Sequence, residues 1–451
     1  RVVVALVAAG TAAALLIGAV AAWPSLRHAD AGGSARSSDL PTGQLPPDPK
    51  QFTGIRAAVT AVFAARSAAL RSGDLAAWQA TVDPAAPDFL ASETTLYENL
   101  RQLPLQSYTW AYDGQTQISG YPLPDSVTAT LLNPDQTYSP GMTVTYQLRG
   151  FDQKPVTDSY VPVMVRRGQR WYVAADRTRA ASFDQSFDEP WAAGPVQVQV
   201  SAHSLVVVSA GDATKLPALA RQADAAVAAV TALWPTGWNH TVVLFATRDT
   251  DVFASFFGRT RAVNEASALT LGVGVAQHAP PTDDTRVVLN PLYSLPGDKD
   301  MPPLLRHEFT HVAQWNTQHT GIPRWAIEGI AEYTAYRHHV TQQRVSAQLV
   351  KDAKAHRMPA SLPASDTFYG PEPGESYHYG MAWLAWEYMA ETYGETKLKR
   401  VYARLALIDG REDSAAALKA EAAAFPAVLG ISEPRFVKNM EAWTAKVLRI
   451  V

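Results

Sequence analysis

The stretch "LLRHEFTHVAQW", Leu304 to Trp315, decides how the second half of the chain is built. His307 and His311 stand four residues apart, so on a helix both imidazoles project from one face, about 6 Å apart along the axis. Glu308 follows the first histidine and turns toward the flank of that face. The surrounding apolar residues indicate a buried helix, where two imidazoles and a carboxylate are costly unless a metal compensates them.

A second helix carries carboxylates at the same spacing. The stretch "TGIPRWAIEGIAEYTAYRHH", residues 320–339, places Glu328 and Glu332 four residues apart on one face. A catalytic zinc site needs a third protein ligand and an open position for water or substrate. One carboxylate can bind the metal while the other accepts the outward N–H of a ligand histidine, which fixes the orientation of that ring. The spacing leaves open which glutamate does which.

The two stretches together resemble a known family. "HEFTH" followed by "PRWAIEGIAEY" is similar to the gluzincin clan of zinc metallopeptidases, in particular the bacterial peptidase MA-like group. The resemblance covers about residues 196–450, and its most specific motifs lie at 304–336. Sixteen residues separate the second histidine from the first glutamate, a spacing that suits the MA-like group.

The resemblance implies a role for each residue of the two motifs. It implies that His307, His311 and Glu328 bind one Zn²⁺ per chain, with Glu328 preferred because it begins the E-G pair. Glu308 would be the general base on the water that the zinc activates. Glu332 would be the outer partner of a ligand histidine.

A third segment resembles the part of the clan that stabilises the oxyanion of the tetrahedral intermediate with a Tyr or His. This segment is "GESYHYGMAWLAWEYMAETYG", residues 374–394. It makes Tyr377 the candidate, with His378 and Tyr379 as alternatives. The competing interpretation is that these aromatic side chains only pack in the core.

Composition narrows the chemistry further. The chain has 451 residues, 47% hydrophobic and 18% charged, as expected of a globular protein. Its formal net charge of -3 gives no reason to expect nucleic acid as a partner. Cysteine is absent from the sequence, which excludes disulfides, thiol catalysis and thiolate metal sites. Any metal must therefore be held by His, Asp or Glu.

The first residues predict a membrane segment. Val2 to Trp23 is a run of 22 residues without a charge, and about 20 span a bilayer. We expect residues 1–23 to be a single-pass transmembrane anchor that leaves the catalytic domain outside the cytoplasm. A signal peptide cleaved after "AVAA", giving a secreted protein, is the alternative. Residues 24–50 are rich in Pro, Gly, Ser and Asp and predict a flexible linker.

Residues 51–180 predict a separate α+β domain. A helical pattern stops at Ser72–Gly73, and alternating segments typical of strands follow. Gly168 marks a tight hairpin between two of those strands. Helices followed by antiparallel strands resemble the NTF2-like cone fold.

Residues 195–451 predict the gluzincin-like metallopeptidase domain. It would consist of a mixed sheet and the H-E-x-x-H helix, followed by a mostly α-helical subdomain. Within it, "SALTLGVGV", residues 267–275, resembles the edge strand that pairs with an extended peptide substrate in this clan. The predicted fold class of the whole chain is therefore α+β.

The sequence favours a hydrolase: a zinc metallopeptidase that cuts the peptide bonds of a protein or peptide substrate outside the cytoplasm. The competing hypothesis is a non-catalytic binding or scaffold protein of the cell envelope with a structural or relict metal site. All the residue types that catalysis needs are present in the two helices, which favours the enzyme.

Overall fold

The computed structural model describes ten stretches of the chain. They are residues 49–113, 123, 125–177, 189–256, 267–273, 284–292, 301–337, 339–341, 345–369 and 374–448. The predicted membrane segment 1–23 lies outside the described residues, as does the predicted linker up to residue 48. Within them the protein is α+β, as predicted.

The chain divides into two compact units. The helical unit comprises the described residues of Ala228–Trp238 and Pro302–Val451, and the sheet unit those of Ser25–Val227 and Asn239–Met301. The predicted domain boundaries at 51–180 and 195–451 stay predictions.

The sheet unit opens with helices and continues with strands. Its first elements are α1 (Pro49–Ser72), α2 (Leu75–Gln79), α3 (Pro87–Leu100), β1 (Leu105–Tyr112), α4 (Asp125–Thr128), β2 (Gln136–Tyr138), β3 (Met142–Leu148), β4 (Val156–Tyr160), β5 (Pro162–Arg167) and β6 (Arg170–Asp176). The strands form two antiparallel sheets, with orders β1-β3-β4 and β2-β5-β6. The predicted helix stop and hairpin are confirmed, since Gly73 and Gly168 both adopt a positive φ that favours glycine.

Helix α1 provides the core between these two sheets. Val59 and Phe63 are buried against Tyr138 of β2, Val144 of β3 and Met164 of β5. Val59 and Phe63 lie four residues apart and therefore share one helix face. Burial of this face holds the helix on both sheets, because each large apolar side chain removed from water contributes about 1.5–3 kcal/mol.

A five-stranded mixed sheet follows in the same unit. Its elements are α5 (Pro190–Ala193), β7 (Val196–Val200), β8 (Ser204–Ser209), a 3₁₀ turn (Ala210–Lys215), α6 (Leu216–Leu233), β9 (Val242–Ala246), α7 (Thr250–Phe256), β10 (Ala268–Gly272) and β11 (Thr285–Leu289). Helix α6 belongs to this unit up to Val227, and its last residues belong to the helical unit. The strand order is β10-β11-β9-β8-β7. The three central strands are parallel and both outer strands are antiparallel to their neighbours. The parallel strands consist mainly of buried apolar residues, because both of their faces are covered.

Buried polar contacts join the early strands to this sheet. Arg286 of β11 pairs with Asp152, which follows β3, at 2.8 Å, and both side chains are buried. Trp191 of α5 lies edge-on between Tyr146 of β3 and Phe245 of β9. An unpaired buried charge is strongly destabilising, so the ion pair fixes how β11 meets the β3–β4 connection.

The helical unit holds the motif helices. Its elements are α8 (Met301–Gln314), a 3₁₀ turn (Trp315–Thr317), α9 (Arg324–Tyr336), α10 (Ala347–Lys354), α11 (Glu375–Tyr393), α12 (Glu395–Ala406), α13 (Ala415–Leu429) and α14 (Glu433–Val447). Among the described residues, no single helix meets the length and hydropathy of a membrane span. Helices α13 and α14 meet them only as a pair that is bent by 67°.

Candidate metal centre

Helix α8 carries both motif histidines into the protein interior. Pro302 and Pro303 lie in its first turn, where a missing N–H costs little. His307 is fully buried and His311 is 4% exposed. Their Nε2 atoms lie 3.0 Å apart and their ring centres 4.8 Å apart. Both imidazoles therefore converge on one point, as the four-residue spacing predicts.

Helix α9 brings Glu328 to the same point. Its Oε2 atom lies 3.4 Å from Nε2 of His307 and 3.6 Å from Nε2 of His311. The side chain is fully buried, and Oε2 accepts no hydrogen bond. His307, His311 and Glu328 thus form a buried group that could hold a metal ion, here called the metal-ligand group. It is the one such group within the described part of the chain.

Glu332 lies one turn further along α9 and contacts the other side of the first histidine. Its Oε1 atom is 3.0 Å from Nδ1 of His307. The two glutamates therefore contact different nitrogens of one ring, Glu328 the inward Nε2 and Glu332 the outward Nδ1. This arrangement leaves Nε2 available to a metal while a carboxylate lies at the opposite N–H.

The buried charges of this group are strongly coupled. Burial by itself lowers the pKa of His307, but its contacts with Glu328 and Glu332 outweigh burial and raise that pKa to about 10. Burial likewise raises the pKa of Glu328, and contacts with both histidines reverse this and hold it well below its usual range. The carboxylates therefore require a cation beside them, which an imidazolium or a metal ion can provide.

Gly329, the second residue of the E-G pair, lies where α9 approaches α11 closely. A Cβ atom at this position would lie 2.6 Å from the Ala382 carbonyl oxygen and 2.8 Å from Cδ1 of Trp386, both on α11. Only glycine permits this close approach of the two helices. The contact sets the depth at which the neighbouring Glu328 enters the site.

Glu308 is fully buried beside the first histidine. Its negative charge is among the causes that raise the pKa of His307. The predicted base is therefore buried on the same helix as the two histidines. Its catalytic role stays a prediction.

The three predicted oxyanion candidates on α11 lie in different surroundings. Tyr377 faces Asp352 of α10, and burial together with that carboxylate raises the pKa of the phenol to about 12. His378 donates from Nδ1 to the carbonyl oxygen of Phe368 at 2.7 Å. Both side chains therefore have polar partners other than the metal-ligand group.

Tyr379 is the candidate that lies at the group. Its ring centre is 6.3 Å from that of His307, and its buried hydroxyl lies near Glu328 and Tyr369 without a well-formed hydrogen bond to either. Burial raises the pKa of Tyr379 well above its usual value, and the charge of Glu328 raises it further. A neutral phenol at this position can donate to an oxygen that lies beside the group.

Tyr369, which precedes α11, is not part of any motif of the sequence. Its hydroxyl donates to Oε1 of Glu328 at 2.9 Å. The residue lies in the segment "LPASDTFY", residues 362–369, which has neither helical nor strand periodicity. No spacing or motif pointed to this tyrosine, because its position depends on the path of an irregular segment through the fold.

His319 lies in the loop before α9, and its Nδ1 contacts Asp409 at 2.7 Å. Strand β10 covers most of the described part of "SALTLGVGV" and is at the edge of the described five-stranded sheet. Pairing of this strand with a peptide stays a prediction.

Comparison with family models, with curated proteins and with solved structures found no match for this chain.

Proposed function

We propose that the chain is a gluzincin-like zinc metallopeptidase that hydrolyses peptide bonds of a protein or peptide substrate. The observation that carries the proposal is the convergence of three buried ligand atoms, Nε2 of His307, Nε2 of His311 and Oε2 of Glu328. The choice of family rests on the motifs "HEFTH" and "PRWAIEGIAEY" alone.

The spacing of the ligand atoms supports zinc as the metal. Ligands bound at 2.0–2.2 Å to a tetrahedral Zn²⁺ lie about 3.3–3.5 Å from one another. The three separations are 3.0, 3.4 and 3.6 Å. Two imidazoles and one carboxylate are also a donor set that zinc takes in catalytic sites. Three protein ligands leave the fourth position for water or substrate.

Glu332 suits the role of an outer partner to His307. The carboxylate lies at Nδ1, so it favours the tautomer that carries its proton there and offers a lone pair at Nε2. A partner of this kind orients the ring and makes the ligand nitrogen more basic. We therefore assign Glu328 to the metal and Glu332 to the histidine.

Glu308 would perform the proton transfers. A bound zinc ion supplies a Lewis acid that polarises the scissile carbonyl and lowers the pKa of water. Glu308 takes a proton from the attacking water as its oxygen forms a bond to the carbonyl carbon. The same carboxyl then delivers that proton to the amide nitrogen as the C–N bond breaks.

Tyr379 is our preferred oxyanion stabiliser, ahead of Tyr377. A group in this role needs a proton to donate and a position at the metal-ligand group. The buried hydroxyl of Tyr379 lies near His307 and makes no well-formed hydrogen bond, whereas Tyr377 faces Asp352. Burial keeps the Tyr379 phenol protonated, as donation requires.

The proposal also includes the type of each domain and the location of the chain. The helices and two antiparallel sheets of residues 51–180 support an NTF2-like domain. The antiparallel outer strand β10 supports a gluzincin-type sheet that receives an extended peptide. An N-terminal anchor or signal segment, and with it an extracytoplasmic location, is proposed from the sequence alone.

Chelator-sensitive proteolysis tests the function. The purified chain is incubated with casein and with a peptide library, and products are identified by mass spectrometry. We expect cleavage, its loss after treatment with 1,10-phenanthroline, and its return when Zn²⁺ is added.

A His307→Ala variant purified in parallel controls for contaminating proteases, and it should cleave neither substrate. A folded wild-type chain that holds zinc and cleaves neither casein nor any library peptide would contradict the proposal. That result would favour the binding or scaffold protein.

A further inference from the structure

We propose that Tyr369 is a positioning residue for Glu328, which it holds as a ligand through one oxygen only. The inference rests on the metal centre of the proposed function. It adds a residue that the motifs do not contain and that acts through Glu328. No contact of Tyr369 with substrate is involved.

The two carboxylate oxygens of Glu328 have different surroundings. Oε1 accepts the hydroxyl proton of Tyr369 at 2.9 Å. Oε2 accepts no hydrogen bond and lies within 3.6 Å of both histidine Nε2 atoms. A carboxylate can bind a metal through one oxygen or two. The phenol occupies Oε1 and so directs Oε2 alone toward the metal position.

The position of Tyr369 is set by contacts of the segment 362–369 that carries it. Ser365 in this segment accepts a hydrogen bond from the backbone N–H of Arg324 at 3.0 Å, at the start of α9. Arg324 is itself held in a buried ion pair with Glu412 at 2.8 Å. The segment is thus attached to the first turn of the helix that bears Glu328.

A second attachment lies on α11, next to the tyrosine itself. Phe368 is fully buried, and its carbonyl oxygen accepts the Nδ1–H of His378. The Phe368 ring also packs edge-on against that of Tyr379, with ring centres 5.1 Å apart. Tyr369 is therefore fixed relative to both helices that line the group, as a positioning residue must be.

The geometry separates the roles of the two tyrosines at the site. The proton of Tyr369 is committed to Glu328, so this hydroxyl is not available to a reacting oxygen. The hydroxyl of Tyr379 also lies near Glu328, but it makes no well-formed hydrogen bond. Loss of Tyr369 should therefore change metal binding, and loss of Tyr379 should change turnover.

Metal binding by the Tyr369→Phe variant tests the proposal. Zn²⁺ affinity is measured by competition with a chromophoric chelator, and the Co²⁺-loaded protein is compared by visible absorption. We expect zinc to bind roughly 10–100-fold more weakly, as is usual when an outer partner of a ligand is removed. We also expect a changed Co²⁺ spectrum, because the carboxylate is free to rotate and bind through both oxygens.

Tyr333→Phe is the matched control. Tyr333 lies on α9, and its hydroxyl donates to Oε1 of Glu395 at 3.0 Å, a bond of the same kind away from the metal ligands. This variant should keep the wild-type zinc affinity and Co²⁺ spectrum. Circular dichroism establishes that both variants fold.

Each outcome decides one point. A Tyr369→Phe variant with wild-type affinity and spectrum overturns the assignment of Tyr369, even where the wild type hydrolyses peptides. A wild type that binds Zn²⁺ without hydrolysing any peptide overturns the proposed function alone, and one that binds no metal overturns both. If Tyr369→Phe does not fold, a crystal structure of the zinc-loaded wild type decides. A Tyr369–Oε1 contact with ligation through Oε2 alone supports the proposal. Loss of that contact, or ligation by Glu328 through both oxygens, overturns it.

Discussion

Oε1 of Glu332 lies 3.0 Å from Nδ1 of His307, the ring nitrogen opposite the Nε2 atom that faces Glu328 and His311. A histidine binds a metal through an unprotonated nitrogen, so the proton of a ligand His307 must be on Nδ1. Glu332 is the carboxylate that lies at this nitrogen. In the proposed metal centre, the contact therefore links the tautomer of His307 to a residue that is not a ligand.

Replacing Glu332 should weaken the metal centre without removing a ligand. We expect Glu332→Ala to bind Zn²⁺ roughly 10–100-fold more weakly, because the ring loses its orienting acceptor. Glu332→Gln keeps an oxygen that can accept from Nδ1 and should lose less affinity. Competition titration measures both. An alanine variant with wild-type zinc affinity would show that Glu332 does not support His307.

Replacing Glu308 should separate metal binding from catalysis. We expect Glu308→Gln to retain about one Zn²⁺ per chain and to lose at least about a hundredfold in kcat, since the amide cannot take up a proton. Metal content is measured by elemental mass spectrometry, and kcat is measured with the peptide of the library that the wild type cleaves fastest. A zinc-loaded variant with undiminished turnover would exclude Glu308 as the base.

The part of the site that lies on helices could be predicted from the sequence. His307 and His311 share a face because a helix repeats every 3.6 residues, and the same period aligns Glu328 with Glu332. Periodicity does not state which carboxylate faces which nitrogen. That distinction depends on the approach of α9 to its neighbours, which Gly329 sets through its contact with α11.

Two tyrosines of the site could not be predicted from the sequence, because their positions depend on tertiary contacts. Tyr369 reaches Glu328 from a segment without periodicity, and Tyr379 is distinguished from Tyr377 by the tertiary surroundings of α11.

The fold was predictable where it depends on local patterns, as in the α+β class and the hairpin at Gly168. The strand order β10-β11-β9-β8-β7 was not predictable, since it depends on long-range pairing.

Adding one methyl group at Gly329 should destabilise the helical unit. In Gly329→Ala the Cβ atom would meet backbone of α11 at 2.6 Å, and backbone cannot rotate away as a side chain can. We expect the free energy of unfolding to fall by about 1–3 kcal/mol, the usual cost of overpacking. We also expect weaker Zn²⁺ binding, because Glu328 moves with the helix.

Gly54→Ala is the control for this substitution. Gly54 is exposed in α1, and a Cβ there would meet nothing within 4 Å. Alanine is favoured over glycine in helices by about 1 kcal/mol, so this variant should be neutral or slightly more stable. Denaturant unfolding compares the two variants with the wild type. Equal stability of both alanine variants would exclude the close-approach role of Gly329.

Glu421 of α13 is a buried carboxylate outside the metal-ligand group. It accepts a hydrogen bond from Nε1 of Trp325 at 2.6 Å. Burial raises the pKa of Glu421 to about 7, against the opposing effect of the Trp325 hydrogen bond. The folded chain therefore keeps this proton at pH values where an unfolded glutamate, with an ordinary pKa of 4.5, has lost it.

Stability should consequently fall as the pH rises through this range. Between pH 4.5 and 7 the folded state binds the proton and the unfolded state does not. The contribution of the Glu421 carboxyl to the free energy of unfolding is therefore fully present below pH 4.5 and is lost by about pH 7. A difference of 2.5 pKa units corresponds to about 3 kcal/mol. We expect Glu421→Gln, which cannot ionise, to remove this loss, as measured by denaturant unfolding at pH 4.5 and 7.5. Glu391→Gln, at an exposed position of α11, should keep the wild-type pH dependence. A Glu421→Gln variant that loses as much stability as the wild type over this range would show that Glu421 is not the group responsible.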